Sequence, residues 1–386
     1  MRVAFDHQAF CLQKLGGISR YYCRLAEALQ NHANDSVAIF APIYRNLYLR
    51  TATKEIVHGY PVSDYPAKTA GFMVSANDWV AKYSIKRWRP DIVHETYFSA
   101  SGTAPTACPS VLTVFDMIPE MAVGCGTVGA KRPSFNANFK TSKKYAAIMR
   151  ADHVICISQH TRLDLINIFQ VPAAKLSVVY LGCEVVNSED MFENYRTATQ
   201  PRPYLLYVGE RKGYKNFENL LRAISSAPRL IKEFDLVAFG GGKFSEHEVS
   251  LIRTLGFSRG QVRQQPGDDH ALNLAYLGAS ALVYPSAYEG FGLPPLEAMA
   301  RNCPVISSNT SSMPEVIGNA GEYFDPQALD SISGAIEAVV FSKDRAQQLI
   351  KLGRERVRLF TWQRCAQETR AIYQAVLNAS SSTRVH

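Results

Sequence analysis

The stretch ALVYPSAYEGFGLPPLEAMARNCPVISS, residues 281–308, decides the fold. Ala281–Tyr284 is an apolar run that reads as a buried parallel strand, and residues 285–293 read as a loop. Residues 294–299 open a helix, with proline where a helix needs no amide donor. Residues 303–308 read as the next strand. Strand, loop, helix and strand make a βαβ unit, whose loop lies at the carboxyl ends of the strands, where open α/β sheets bind ligands. Gly290 and Gly292 let the backbone approach a ligand closely, and the N–H groups at the helix start can receive a diphosphate. Glu289 and Glu297 stand one in the loop and one in the first helical turn, so both can face one small ligand. Carboxylates accept hydrogen bonds from vicinal hydroxyls, which suits a ribose or hexose and suits a bare phosphate poorly. Singly, Glu297 would merely complement the helix dipole and Glu289 would be a solvated loop charge. Beside the glycines, the ligand reading is the stronger.

The run E-G-F-G-L-P-P-L-E-A-M, residues 289–299, resembles the E-x7-E signature of retaining GT-B glycosyltransferases, and closely that of family 4. The resemblance implies an α/β fold of two Rossmann-like domains facing each other across a cleft. It places Glu289 beside the donor sugar, the backbone of Gly290, Phe291, Gly292 and Leu293 against the sugar hydroxyls or the diphosphate, and Glu297 on the nucleotide ribose.

Working outward, Tyr204–Val208 is a strand running into Gly209 and the basic cluster Arg211, Lys212 and Lys215 before a helix. Three cations in one such loop repel one another unless an anion sits there, and arginine offers it a planar fork where lysine offers a point charge. The resemblance puts a diphosphate grip on Arg211 and Lys215, with a shorter spacing than in many members. Asp235–Phe239 is a further strand, ending in Gly240-Gly-Gly242, which lacks the third glycine of a nicotinamide-binding turn. Residues 265–271 lead into a helix over 272–279. By resemblance this region cups the nucleotide base, with Asp268 and Leu272 as the contacts, and residues 307–315 shape the same wall.

In the first half, residues 2–5 form a strand, a loop follows, and Gly16-Gly17 opens a helix to about Leu29. The glycine pair serves a tight turn or a phosphate; the resemblance sets Gly16 and Gly17 against the donor diphosphate. Arg20, near the helix start, is placed to meet an acceptor or a phosphate, or is an ordinary surface arginine. Residues 37–42 are a second strand and 44–70 an irregular tract. Residues 72–88 are helical and mix aromatic with basic side chains, suiting either a membrane interface or an ordinary half-buried helix. Residues 91–96, ending in polar groups that include His94, and 110–115, ending at Asp116, are further strands. The resemblance calls for histidine directly before that aspartate. Phe115 stands there, so the donor-sugar contact lies elsewhere or the donor geometry differs. Residues 121–151 carry six basic side chains and no acidic one. Among them Lys131, Arg132, Lys143 and Lys144 resemble the acceptor side of family members that dock on anionic lipid, or form a solvated basic face. Strands over 152–158 and 176–181 follow, with Ser158 capping the helix between them.

These elements divide into a domain over 1–183 rejoined by a last helix over 361–386, a linker over 184–203, and a nucleotide-sugar domain over 204–360. A length of 386 residues supports two such cores. No apolar run reaches the ~18 residues of a membrane span, and residues 1–5 enter a strand with no signal peptide before it. A cytoplasmic protein is expected, peripheral to the inner face of the cell membrane. The eight cysteines form no metal-ligand spacing, no D-x-D is present, and no cofactor or metal is expected, so protein groups must neutralise a leaving diphosphate. A net charge of +8 calls for an anionic partner. The sequence carries no nucleic-acid recognition pattern, which leaves the donor and an anionic membrane. The resemblance implies retaining transfer of a hexose to a lipid-linked surface-polysaccharide or O-antigen acceptor, with mannose from GDP-mannose favoured over UDP-hexoses by that similarity alone, and the absent D-x-D makes the expected transfer metal-independent. The alternatives are a non-catalytic nucleotide-sugar-binding subunit and a hydrolase or epimerase acting on the nucleotide sugar.

Overall fold

The computed structural model describes residues 1–31, 35–65, 69–99, 101–125, 141–184, 202–211 and 213–383. The chain forms two units, one of residues 1–117, 133–182 and 362–386, the other of residues 118–132 and 183–361. In the first, strands β1 (Arg2–Phe5), β2 (Ser36–Tyr44), β3 (Val57–Pro61), β4 (Ile92–Glu95), β5 (Ser110–Val114), β6 (His153–Cys156) and β7 (Leu176–Val178) make one sheet in the order β3-β2-β1-β4-β5-β6-β7. In the second, β8 (Tyr204–Val208), β9 (Asp235–Phe239), β10 (Val262–Gln265), β11 (Ala281–Tyr284), β12 (Val305–Ser308) and β13 (Gly321–Phe324) run in the order β10-β9-β8-β11-β12-β13. Every pairing is parallel. The strand order reverses between β1 and β4, and again between β8 and β11. Such switch points open crevices at the carboxyl ends of the strands.

Parallel strands covered on both faces must be apolar throughout, and β4, β5, β8 and β11 are buried at every residue. The core of the second unit joins Leu205 and Tyr207 of β8 to Phe217, Leu220 and Ile224 of the following helix and to Ile332 and Ile336 of the Leu329–Val340 helix. In the first unit the last helix, Trp362–Thr383, packs on the Gly17–Gln30 helix. It is tied there by Arg370, whose Nε donates to Asp35 Oδ2 at 2.6 Å.

Two sequence expectations are corrected. The tract over 44–70 is not irregular throughout: it holds a short helix, Leu47–Thr51, and the edge strand β3. A second edge strand, β10, precedes the helix expected over 272–279, which begins earlier, at Asp269. Nearly all of the linker expected over 184–203 lies outside the described residues.

Candidate functional site

At the switch point of the second unit, β8 runs into Gly209 and Arg211, and β11 into the loop that carries Glu289. Lys215 Nζ donates to Glu289 Oε1 at 2.6 Å, and Glu289 is only 8% exposed. The two loops are also joined through backbone, since the Ala287 amide donates to the Tyr214 carbonyl at 2.7 Å. A carboxylate and an ammonium are thus fixed side by side where the crevice opens. Leaving the buried carboxylate or the half-buried ammonium without the other would be costly.

The turn closes through Gly292, whose φ of 107° lies in the left-handed region and whose added Cβ would stand 2.6 Å from Met313 Cε. Only glycine fits there without strain. The helix Leu293–Met299 follows and presents Glu297. Glu297 is held by a fully buried phenol, Tyr276, whose hydroxyl donates to Oε2 at 3.0 Å. The Arg301 guanidinium donates to the Glu297 carbonyl and to Asn273 Oδ1. Asn273 and Tyr276 share a face of the Asp269–Gly278 helix, so Glu297 and that helix are one mechanical piece. Asp268 caps the helix by accepting from the Ala271 amide at 2.9 Å, and that bond holds its carboxyl below the usual range. Asp268 is exposed and Leu272 half-buried at this helix start. Phe291, by contrast, offers a ligand only its backbone, because its ring is buried against Phe360 at 5.8 Å. Gly290 is buried and Leu293 half-buried beside it.

Arg211 departs from the expectation of a diphosphate fork. Its Nε donates to Glu248 Oε1 at 2.7 Å, and its terminal nitrogens donate to the carbonyls of Gly240, Gly242 and Lys243, each at 3.0 Å. Gly240, Gly241 and Gly242 all have positive φ, which wraps that loop around the guanidinium. Four of its five N–H donors are committed, and Lys215 is the cation beside Glu289. Burial pushes the Glu248 carboxyl up, but the hydrogen bonds from Arg211 and Ser245, together with the guanidinium charge, outweigh it and hold the carboxyl below the usual range. Lys212 lies outside the described residues.

Of the residues assigned in the first unit, Gly16 and Gly17 do form the start of a helix. There Ser19 donates its amide to the Gln13 side chain at 3.1 Å and its hydroxyl to the Gly16 carbonyl at 3.0 Å. Arg20, in its first turn, is half-buried. His94 is corrected: it is a core residue, fully buried, with Nδ1 2.6 Å from the Tyr373 hydroxyl and Nε2 2.8 Å from Thr113 Oγ1, so it presents nothing to an acceptor. Burial pushes it down to about 3, keeping it neutral. Lys144 is also buried, and its ammonium donates to the Asp116 carbonyl at 2.6 Å. Asp116 is half-buried and Lys143 exposed. Phe115 packs edge-on against Tyr21 and Tyr22, as part of the aromatic core. Lys131 and Arg132 lie outside the described residues.

Two groups escaped the sequence reading. The first is a buried cluster at the ends of β1 and β4, where Asp6 accepts from the Thr96 amide and the Thr103 hydroxyl. Burial pushes the neighbouring Glu95 carboxyl up. The second is the grip on the Glu289 loop by the hydroxyl-bearing run over 308–312, a stretch expected only to shape the wall around the nucleotide base. Its only sequence signal was a serine-rich composition.

The sequence matches the model of glycosyl transferases group 1 over residues 190–356 and that of Glycosyltransferase Family 4 over residues 15–186. It is 28% identical to O-antigen chain mannosyltransferase B of Escherichia coli. That match spans 63% of this chain and 65% of the relative, just under two thirds of its length. Among solved structures, sucrose-phosphate synthase from Thermosynechococcus elongatus superposes with a TM-score of 0.75 at 20% identity, covering 98% of this chain and 99% of that one. Anabaena Alr3699/HepE in complex with UDP and glucose gives 0.71 at 15% identity, covering 97% and 99%. The two family models divide the chain much as its two parallel sheets do, and the chain belongs to glycosyltransferase family 4, the glycosyl transferases of group 1, with the GT-B fold.

Proposed function

We propose that the protein is a retaining, metal-independent glycosyltransferase that moves mannose from GDP-mannose to a lipid-linked, surface-polysaccharide or O-antigen type acceptor at an anionic membrane surface. The Lys215–Glu289 pair at the β8/β11 switch point carries this reading. It sets a cation for a departing diphosphate beside a carboxylate for sugar hydroxyls. The E. coli relative, an O-antigen chain mannosyltransferase, supports mannose as the sugar, and a solved structure that holds UDP and glucose supports a nucleotide-linked donor.

In the reaction the bond from the anomeric carbon to the diphosphate oxygen breaks and the acceptor hydroxyl bonds to the same face of that carbon. The acceptor proton goes to the leaving phosphate oxygen, and the nucleoside diphosphate departs. Lys215 and the backbone amides over 290–293 stabilise the growing negative charge, a preorganised electrostatic contribution. Glu289 holds the donor sugar and faces the positive charge that develops on it. Glu297 accepts from the ribose hydroxyls. Replacing Glu289 with Gln keeps shape and removes charge, so turnover of GDP-mannose with a lipid-linked acceptor is expected to fall on the order of 10²–10³-fold. GDP affinity stays within about threefold, since no nucleotide contact is lost. Unchanged turnover in Glu289→Gln, or activity abolished by EDTA in the parent protein, would remove the corresponding part of the proposal.

A further inference from the structure

We infer that Ser311 and Ser312 are positioning residues for the Glu289 loop, and that they set the rate of the transfer proposed above without touching the substrate. The inference rests on the reading of Glu289 as the group beside the donor sugar. It starts from two consecutive residues that break local rules. Ser311 has a φ of 53°, in the left-handed region that a serine side chain disfavours. Ser312 stands at the N-cap of the Met313–Ile317 helix, where a serine hydroxyl ordinarily accepts from a first-turn amide, yet it makes no such bond.

Both departures have the same destination. Ser311 Oγ accepts from the Glu289 amide at 2.9 Å. Ser312 Oγ, fully buried, shares its hydrogen between the carbonyls of Glu289 at 2.9 Å and Phe291 at 3.0 Å. The same segment holds the near end of the loop, where Ser308 Oγ donates to the Ser286 carbonyl at 2.6 Å. One strained backbone position and one forgone helix cap therefore fix the peptide groups on both sides of Glu289. Local cost of this kind persists where the surrounding structure uses it. Glu289 has a short side chain on a loop, so its carboxylate is aimed by that backbone, and a displacement of about 1 Å can cost a factor near 10² in rate.

Two replacements separate aim from stability. Ser311→Ala loses the hydroxyl and keeps the strain; Ser311→Gly loses the hydroxyl and relieves the strain. The expected result is that both lower kcat for transfer about tenfold or more, with KM for the nucleotide sugar within about twofold. Only the alanine variant is expected to lower the midpoint of thermal unfolding. Ser311→Asn tolerates the left-handed backbone and carries an acceptor oxygen, so it should restore part of kcat. If kcat follows thermal stability, with glycine normal and alanine impaired, or if neither variant changes kcat, the positioning role is overturned. Glu289→Gln, run alongside, separates the two claims: full activity there overturns the reading of Glu289, whereas loss there with normal Ser311 variants overturns this inference alone.

Discussion

His94 makes the sharpest single-residue statement in the first unit. A histidine after an apolar pair at the end of a strand looks like a cleft residue in the sequence. In the fold both of its ring nitrogens are occupied, by Tyr373 of the last helix and Thr113 of β5. Its folded value of about 3 lies below the ordinary 6.5 because burial opposes the charge. Between those values the unfolded chain binds a proton that the folded chain refuses, so the contribution is complete above pH 6.5 and is lost as pH falls towards 3. The loss approaches about 1.4 kcal/mol per pH unit. Urea unfolding at pH 7, 6 and 5 should show this slope in the parent protein and a flatter one in His94→Gln; equal slopes would mean that the imidazole is not the titrating group. The same comparison marks what could be read at this scale. Residue types and spacing single out Glu289, Glu297 and Lys215, and the fold sets Lys215 against Glu289 at the strand end, where a glycine-rich turn leaves a carboxylate few places to go. They misjudged His94 and Arg211, because whether a side chain turns towards the crevice or the core depends on partners far away in sequence, here Tyr373 and Glu248.

The helix Ala70–Trp88 shows the same limit one scale up. Its inner side is ordinary: Ala81 and Ile85 are fully buried, and Asn77 bonds both the amide and the carbonyl of Ile43. Its outer side is not, for Phe72, Trp79 and Tyr83, spaced seven and four apart along one face, are 75%, 73% and 60% exposed. Lys86, Arg87 and Arg89 are exposed where the helix ends. An aromatic stripe leading to three cations suits the anionic membrane surface proposed above, where the rings would enter the headgroup boundary and the cations would meet lipid phosphates, each worth about 1 kcal/mol. Co-sedimentation with phosphatidylcholine vesicles containing phosphatidylglycerol should therefore exceed that with phosphatidylcholine alone. Replacing Phe72, Trp79 and Tyr83 together with Ser should weaken it at least tenfold without lowering the unfolding midpoint. Binding that ignores lipid charge, or that survives the triple change, would exclude this face. The sequence allowed both a membrane face and a half-buried helix, since the stripe is apolar in either case and only packing on β2 shows which side is left over. Edge strands were hidden for a related reason. V-H-G-Y-P in β3 and V-R-Q-Q in β10 lie at the rims of their sheets, where polar residues are tolerated and the apolar run that reveals a central strand is missing.

At the scale of the whole chain, two parallel sheets with separate cores were legible because each central strand had to be apolar on both faces; their strand orders were not, since pairing is set by which strands are neighbours in space. Unfolding should accordingly be more than one cooperative event, as in other two-unit chains. The proposed contacts to a nucleoside diphosphate, at Lys215, the amides over 290–293, Glu297 and the Asp268 helix start, all belong to the second unit. A nucleotide present at about 100 times its dissociation constant adds about 2.7 kcal/mol to the species that binds it, which raises a transition of this size by several degrees. Scanning calorimetry with GDP, UDP, ADP or dTDP, each with and without magnesium, should raise the transition of the second unit, most with GDP and equally without the metal. A shift with another nucleotide would keep the site and change the donor. A shift of both transitions would mean that the Gly16–Gly17 turn of the first unit shares the diphosphate. No shift with any of the four would remove the nucleotide from the site, because a ligand cannot bind the native second unit alone without stabilising it against unfolding.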